Sequence, residues 1–200
     1  SELAGKEVVV FESVEHNGFE VAVHADIKDL GQTVKFEKPT VKTTATFKED
    51  GGKEIHAKES ITIQDVVEYT NLVVGKEYTV KGKLMNKVTN EVFLDADGKE
   101  VTAETTFTAK EKNGSVTLDF TFNGVENQGR EVVVFEDLLH KGDKIATHSD
   151  IEDKGQTVKF VEPTIHTTAT NKADEGKELH ANQTVTIQDK VEYKDLIVGK

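Results

Sequence analysis

Five side chains along the sequence carry groups suited to act on one another: the Thr43 hydroxyl, the Asp65 and Glu136 carboxyls, the His148 imidazole and the Gln156 carboxamide. A hydroxyl, an imidazole and carboxylates are the types that make an activated nucleophile with its base and supporting acids. Thr43 shares strand parity with Val41, Ala45 and Phe47, so its hydroxyl points inward among apolar neighbours and needs a partner. Thr44 and Thr46 take the opposite parity and face solvent. Asp65 interrupts the apolar alternation Ile61, Ile63, Val67, and Glu136 closes the run Val132 to Phe135. His148 ends the short run Ile145-Ala146-Thr147, and Gln156 follows Gly155 at the head of a strand-like stretch. Each residue also has an ordinary role. Threonine is a good β-former, Gln after Gly is a turn exit, a terminal Glu snorkels to solvent, and a single His sits on a surface. The residues alone leave both readings open.

The elements that must position these groups are strands. Val116, Leu118, Phe120 and Phe122 alternate with Thr117, Asp119 and Thr121, the two-residue period of a half-buried strand. Comparable patterns predict strands near 41–47, 61–69, 77–85, 101–109, 131–136, 144–148 and 156–161. Turn signals separate them at Asp97-Gly98, Asn113-Gly114 and Lys141-Gly142-Asp143. No stretch carries a helical period with caps. The expected fold is all-β, an immunoglobulin-like β-sandwich with Greek-key connections, in which the first and last strands are neighbours.

These strands recur. Residues 8–76 align without a gap onto 132–200, an offset of 124, with 42 of the 69 positions identical. Thr43-Thr44-Ala45-Thr46 returns as Thr167-Thr168-Ala169-Thr170, and Gly31-Gln32-Thr33-Val34 as Gly155-Gln156-Thr157-Val158. A period this long indicates tandem whole domains rather than a solenoid. Pro39 and Pro163 each follow a strand ending in Val-Lys-Phe, where proline interrupts ladder pairing, and so mark junctions. The expected organisation is the C-terminal part of one repeat (1–38), a complete domain (39–162) and the N-terminal part of a third (163–200), a piece of something longer.

Composition narrows the function. The net charge of −12 opposes phosphate backbones and argues against nucleic acid. No apolar run approaches the ~20 residues of a membrane helix, so no membrane insertion is expected in this segment. Cysteine is absent, which removes disulfides and thiolate chemistry. Robustness outside the cell then needs another source.

Taken in order, the strings Thr43-Thr44-Ala45-Thr46, Ile63-Gln64-Asp65-Val66-Val67-Glu68-Tyr69, Gly75-Lys76-Glu77-Tyr78-Thr79-Val80-Lys81-Gly82-Lys83-Leu84-Met85, Val133-Val134-Phe135-Glu136, and His148 eight residues before Gln156-Thr157-Val158 resemble the VaFE repeat, or T–Q ester-bond domain, of Gram-positive surface adhesins. The likeness spans the central domain and runs into both partial ones. It implies an intramolecular ester between Thr43 and Gln156, with His148 as base and proton shuttle and Glu136 and Asp65 as supporting acids. It also implies half-sites in the flanks: Glu12, His24 and Gln32 on one side, Thr167 and Asp189 on the other. One bond per chain follows. No cofactor or metal is implied, and a reaction that happens once is not enzymatic turnover. The implied setting is an extracellular, cell-wall-attached stalk whose partners are neighbouring repeats, its anchor outside this segment and its host ligand unknown.

Two other classes remain at this stage. The acidic loops Asp95-Ala96-Asp97-Gly98 and Asp150-Ile151-Glu152-Asp153 could hold Ca²⁺ in a ligand-binding adhesin module, although turn chemistry is the simpler account. With no Trp and three Tyr, no aromatic glycan-binding cluster is evident. A hydrolase using Thr, His and Asp would need an open cleft.

Overall fold

The computed structural model describes residues 3–181, 184–197 and 199, and every regular element among them is a strand. Before Pro39 come β1 (Glu7–Val9), β2 (Glu12–His16), β3 (Phe19–His24) and β4 (Thr33–Lys35). Between the prolines lie β5 (Thr40–Phe47), β6 (Glu54–Ile55), β7 (Ile61–Thr70), β8 (Glu77–Asn86), β9 (Thr102–Thr108), β10 (Gly114–Phe122), β11 (Glu131–His140), β12 (Asp143–His148) and β13 (Thr157–Phe160). After Pro163 come β14 (Thr164–Asn171) and β15 (Ile187–Lys194).

Strands β5 to β13 build two sheets. The smaller has the order β10-β7-β5, all antiparallel; the larger has the order β6-β13-β11-β8-β9, with β12 paired to β11. The chain lays β5 and β7 in the smaller sheet and β8 and β9 in the larger. It returns for β10 and crosses back for β11 to β13. First, second and fifth major strands thus face the third, fourth, sixth and seventh, the arrangement of an immunoglobulin-type sandwich.

Alternation closes it. The inward set of β7 is Ile61, Ile63, Asp65, Val67 and Tyr69; that of β11 is Val132, Val134, Glu136 and Leu138, and all of these are buried. Phe47 of one sheet meets Phe160 of the other edge-on at 5.8 Å. Each such fully buried side chain contributes about 1.5–3 kcal/mol. Gly82 of β8 lies opposite Glu136 and admits no side chain, because a Cβ there would stand 2.5 Å from Phe120 Cζ.

Three details differ from expectation. Strand β11 continues past Glu136 to His140, because Leu138 keeps the inward parity and Lys141-Gly142, both at positive φ (52° and 86°), turn the hairpin. The two-residue β6 adds parallel to the edge of β13. The first and last strands, β5 and β13, are neighbours as expected, but not within one ladder. They lie in opposite sheets, and the turn before β13 meets β5 through an Ala45 N–H donating to the Gly155 carbonyl at 3.0 Å.

Outside the sandwich, β1–β4, β2–β3 and β14–β15 form two-stranded sheets. Their apolar residues, among them Phe19, Val21, Ile165 and Tyr193, are exposed.

Candidate functional site

The candidate site lies between the two sheets at the edge where β5 faces β13. Thr43, 2% exposed, points inward from β5 as its parity with Ala45 and Phe47 requires, whereas Thr44 is exposed. In the β5–β7 register Thr43 stands opposite Val67, and Ala45 opposite Asp65. Asp65 is therefore the diagonal neighbour of Thr43 on the inward face, and it is fully buried. Glu136, 1% exposed, reaches in from β11 of the other sheet. The Thr43 hydroxyl donates to Glu136 Oε2 at 3.1 Å, a hydrogen bond from one sheet to the other.

His148 stands opposite Glu136 in the β11–β12 ladder, so the two side chains share a face. Its Nε2 pairs with Asp153 Oδ2 at 2.8 Å. Gln156, fully buried, immediately precedes β13. Its carbonyl accepts the Val134 N–H at 3.2 Å, while Gly155 beside it accepts the Ala45 N–H. The last turn is thereby held against both sheets. A Cβ built on Gly155 would lie 3.6 Å from the Thr43 carbonyl oxygen, which puts the backbones of nucleophile and carboxamide side by side.

Electrostatically the site is anomalous. Burial pushes the Glu136 carboxyl from its ordinary 4.5 up to about 10, helped by the charge and hydrogen-bonding of Asp65. Burial also raises Asp65, against the pull of Glu136, His148 and Lys53. Two buried carboxyls this close do not both ionise; they share a proton. Hydrogen-bond satisfaction points to the same place. Among the described residues, the buried side-chain N and O atoms lacking a hydrogen-bond partner all belong to Asp65, Glu136 and Gln156. A proton shared between Asp65 and Glu136 accounts for their carboxyl atoms. An unsatisfied buried polar atom costs about 1–3 kcal/mol, so the unpartnered Gln156 carboxamide within a well-packed core requires a reason.

Two residues here escaped sequence reasoning. Asp153, read as part of an acidic loop, orients His148 through one carboxylate oxygen. Through the other it accepts the Gly155 N–H at 2.6 Å, and its carbonyl accepts the Gln156 N–H and the Thr157 hydroxyl. Desolvation works against its ionised form, but the Gly155 N–H and His148 outweigh it and hold the carboxyl below its usual range. Its sequence signal was the Asp-x-Gly turn five residues after the His, repeated at Asp29-Leu30-Gly31. Lys53, half-buried in the loop after β5, donates to the Ala45 and Gly155 carbonyls, the latter at 2.6 Å. Nothing in the local sequence marks it.

The flanking candidates fall on separate two-stranded sheets. Glu12 and His24 face each other across β2–β3, and His24 Nε2 meets Asp29 Oδ2 at 2.6 Å, repeating the Glu136, His148 and Asp153 geometry on an exposed sheet. Gln32 follows in the adjoining turn. Thr167 and Asp189 lie on β14–β15, with Ala169 opposite Asp189 as Ala45 is opposite Asp65, and both are exposed.

The acidic loops have other work. Asp95 Oδ1 accepts the Asp97 and Lys99 N–H groups, and Asp150 Oδ1 accepts that of Glu152, so these carboxylates cap their own turns. Among the described residues no group of three or more His, Asp or Glu is arranged to hold a metal ion. No helix among them is long and apolar enough to cross a membrane. The main surface depression, lined by Lys81, Lys83, Glu104, Phe135 and Lys144, opens on the outer face of the larger sheet. Glu136 borders it yet is 1% exposed, and Thr43 and Gln156 are buried and do not line it.

A family model described as a T-Q ester bond containing domain matches residues 1–36, 39–160 and 163–200. A solved structure of a bacterial adhesin from Mobiluncus mulieris, described as containing intramolecular disulfide, isopeptide and ester bond cross-links, is similar at 17% identity. The match has a TM-score of 0.57 and covers 78% of this chain and 76% of that one. The same adhesin in a second crystal form matches at 17% identity and a TM-score of 0.53, covering 78% of this chain and 77% of that one. At these identities the likeness concerns the fold. Comparison with the curated proteins finds no match.

Proposed function

We propose, from the premise that this chain belongs to the T-Q ester bond domain family, that residues 39–162 are one complete domain of a surface-adhesin stalk which locks itself with an ester between Thr43 and Gln156. The observation that carries this reading is the buried, unpartnered Gln156 carboxamide in a site that also buries the Thr43 hydroxyl and the Asp65–Glu136 carboxyl pair. A sealed nucleophile beside a sealed carboxamide favours reaction within the chain over turnover on a diffusing substrate, so the domain is not an enzyme.

The chemistry balances as an acyl transfer. The Thr43 oxygen attacks the Gln156 carboxamide carbon as its proton leaves. The tetrahedral intermediate expels the amide nitrogen, which departs as ammonia after taking a proton. The carboxamide is a poor electrophile and needs a donor for the developing oxyanion. The proton held between Asp65 and Glu136 supplies it, because Glu136 stays protonated at neutral pH. His148, opposite Glu136 on β12 and paired through Nε2 with Asp153, is the base in this reading: when Nε2 donates to Asp153, Nδ1 is the nitrogen left to take a proton and return it to the leaving group. Burial excludes the water that would hydrolyse the product. Folding supplies proximity, and effective molarities of about 10⁵ M or more make a slow single event sufficient.

The bond would join opposite sheets of the sandwich where β5 enters and β13 leaves. Tension along an array would then pass through it rather than through the hydrogen-bonded core. The Mobiluncus mulieris protein is described as an adhesin, which supports an extracellular setting for this chain; attachment to a cell wall and neighbouring repeats as partners are our reading. Residues 1–38 and 163–200 are read as parts of such neighbours.

Intact-mass spectrometry of the folded chain tests the proposal. The wild type is expected to be lighter by one ammonia and Thr43→Ala to have full mass; a folded wild type of full mass overturns the ester. The same measurement separates two proton routes, since the hydroxyl is bonded to Glu136 in this geometry. With His148 as base, His148→Ala folds and keeps its ammonia. A His148→Ala chain that folds and still loses its ammonia removes His148 as the base.

A further inference from the structure

The ester chemistry leaves one half-buried charge without a task. Lys53 sits in the loop between β5 and β6, where an ordinary lysine would extend its ammonium into water. Instead its Nζ donates to two main-chain carbonyls, that of Ala45 in the smaller sheet and that of Gly155 in the turn leading to the larger. Its own carbonyl accepts the Lys159 N–H at 2.8 Å, tying the loop to β13 as well. Together with the Ala45 N–H to Gly155 carbonyl bond, this makes a closed knot of main chain. Thr43 lies two residues before one side of it, and Gln156 one residue after the other.

We propose that Lys53 is a positioning residue for the Thr43–Gln156 reaction, clipping the strand of the nucleophile to the turn of the electrophile and setting a positive charge beside the Asp65–Glu136 pair. The inference rests on the ester reading. The clip acts because near-attack geometry is sensitive to about an ångström, and β5, at the sheet edge, has free main-chain groups there. The charge acts because it favours ionised Asp65, which leaves the shared proton on Glu136, the member bonded to Thr43. Asp65 is also faced by Glu136 from β11 and His148 from β12; Asp153 lies near Lys53. On its outer side Lys53 shares a trough with Glu54, Lys87, Glu131, Lys154 and Lys159. Burial lowers the Lys53 ammonium from its ordinary range, while Asp65 and Asp153 pull it back up. The equivalent lysine of the C-terminal segment makes the same first contact: Lys177 Nζ donates to the Ala169 carbonyl at 2.6 Å on the exposed β14–β15 sheet. Half of the clip thus exists where the rest of the sandwich does not cover it.

The test follows ammonia loss over time, by intact mass, in full-length chain recovered unreacted from inclusion bodies and refolded across a range of pH. Lys53→Met, which keeps the aliphatic stem, is expected to react at least tenfold more slowly than wild type. The acid limb of its rate–pH curve should lie at higher pH, because Asp65 loses the charge that keeps it ionised. Lys53→Arg is expected to recover most of the rate and the original limb. Should Lys53→Met not fold, Lys53→Gln, neutral but able to donate, carries the pH comparison and should show the same displaced limb. A neutral variant that reacts as fast as wild type, or more slowly with an unmoved acid limb, overturns the proposal. A wild type that folds and retains its ammonia overturns the ester reading and this inference with it. A reacting wild type beside an equally reactive Lys53→Met overturns the inference alone.

Discussion

At the Asp65–Glu136 pair, one proton serves two carboxyls that the fold has taken out of water. The native state keeps that proton up to about pH 10, while an unfolded chain releases it near the ordinary 4.5. Between those values the unfolded state binds fewer protons than the native one, so stability falls as pH rises, by up to about 1.4 kcal/mol per pH unit for one proton. Thr43→Ala, freed of the cross-link, is therefore expected to show a lower urea midpoint at pH 8.5 than at pH 5.5. Adding Glu136→Gln should flatten the difference; a Thr43→Ala chain equally stable at both values contradicts the protonated pair. Much of this pair was open to a reader of the sequence. Asp65 holds the parity of Ile63 and Val67, and Glu136 that of Val134 and Leu138, so both are carboxyls on apolar faces. Asp153 carried a local signal, the Asp-x-Gly turn five residues after His148, and its partners lie within five residues of it. Lys53 was not legible, because it reaches the Gly155 carbonyl from far along the chain and no local pattern encodes which carbonyl a side chain will find.

Strands and their register decide how closely the two sheets approach over the site. Gly82, opposite Glu136 on β8, lets Phe120 and Leu118 close from the other sheet. Gly82→Ala would place a methyl within 2.5 Å of Phe120 Cζ and 3.0 Å of Leu118 Cδ1. Overpacking of this kind costs typically about 1–3 kcal/mol, and the unfolding midpoint measured in a Thr43→Ala background should drop accordingly. An unchanged midpoint would mean the ring swings aside freely. The strands themselves were readable from alternation, and the observed β5, β7, β8 and β10 lie close to the expected spans. The sheet membership of β5 and β13 was not. Period-2 patterns report which face is buried but are silent on partners, and here first and last strands meet edge to edge across the sandwich.

For the molecule as a whole, the proposed ester closes the chain from residue 43 to 156. Constraining so long a loop stabilises by about 4–5 kcal/mol in the chain-entropy model, the service a disulfide would give in a chain with no cysteine. Denaturant titration of wild type against Thr43→Ala at neutral pH should separate the two by roughly that amount. Coincident curves would leave the bond without a thermodynamic role. In single-molecule stretching the wild-type central domain should lengthen only by the segments outside 43–156, and Thr43→Ala by the full domain. The repeat at an offset of 124 predicts the same protection for each complete neighbour in a longer array.

The hydroxyl, the acid pair and the carboxamide come from β5, β7, β11 and the turn before β13, drawn from both sheets. No partly folded chain holds all of them, so the proposed bond can form only after the sandwich has closed, and opening the sandwich does not by itself break it. Each covalent closure is then a record that a domain reached its native state at least once. A population of chains can then be sorted by the fraction bearing it: chains that have not yet folded lack the mark and chains that have folded and reacted carry it, a difference legible by mass alone after denaturation.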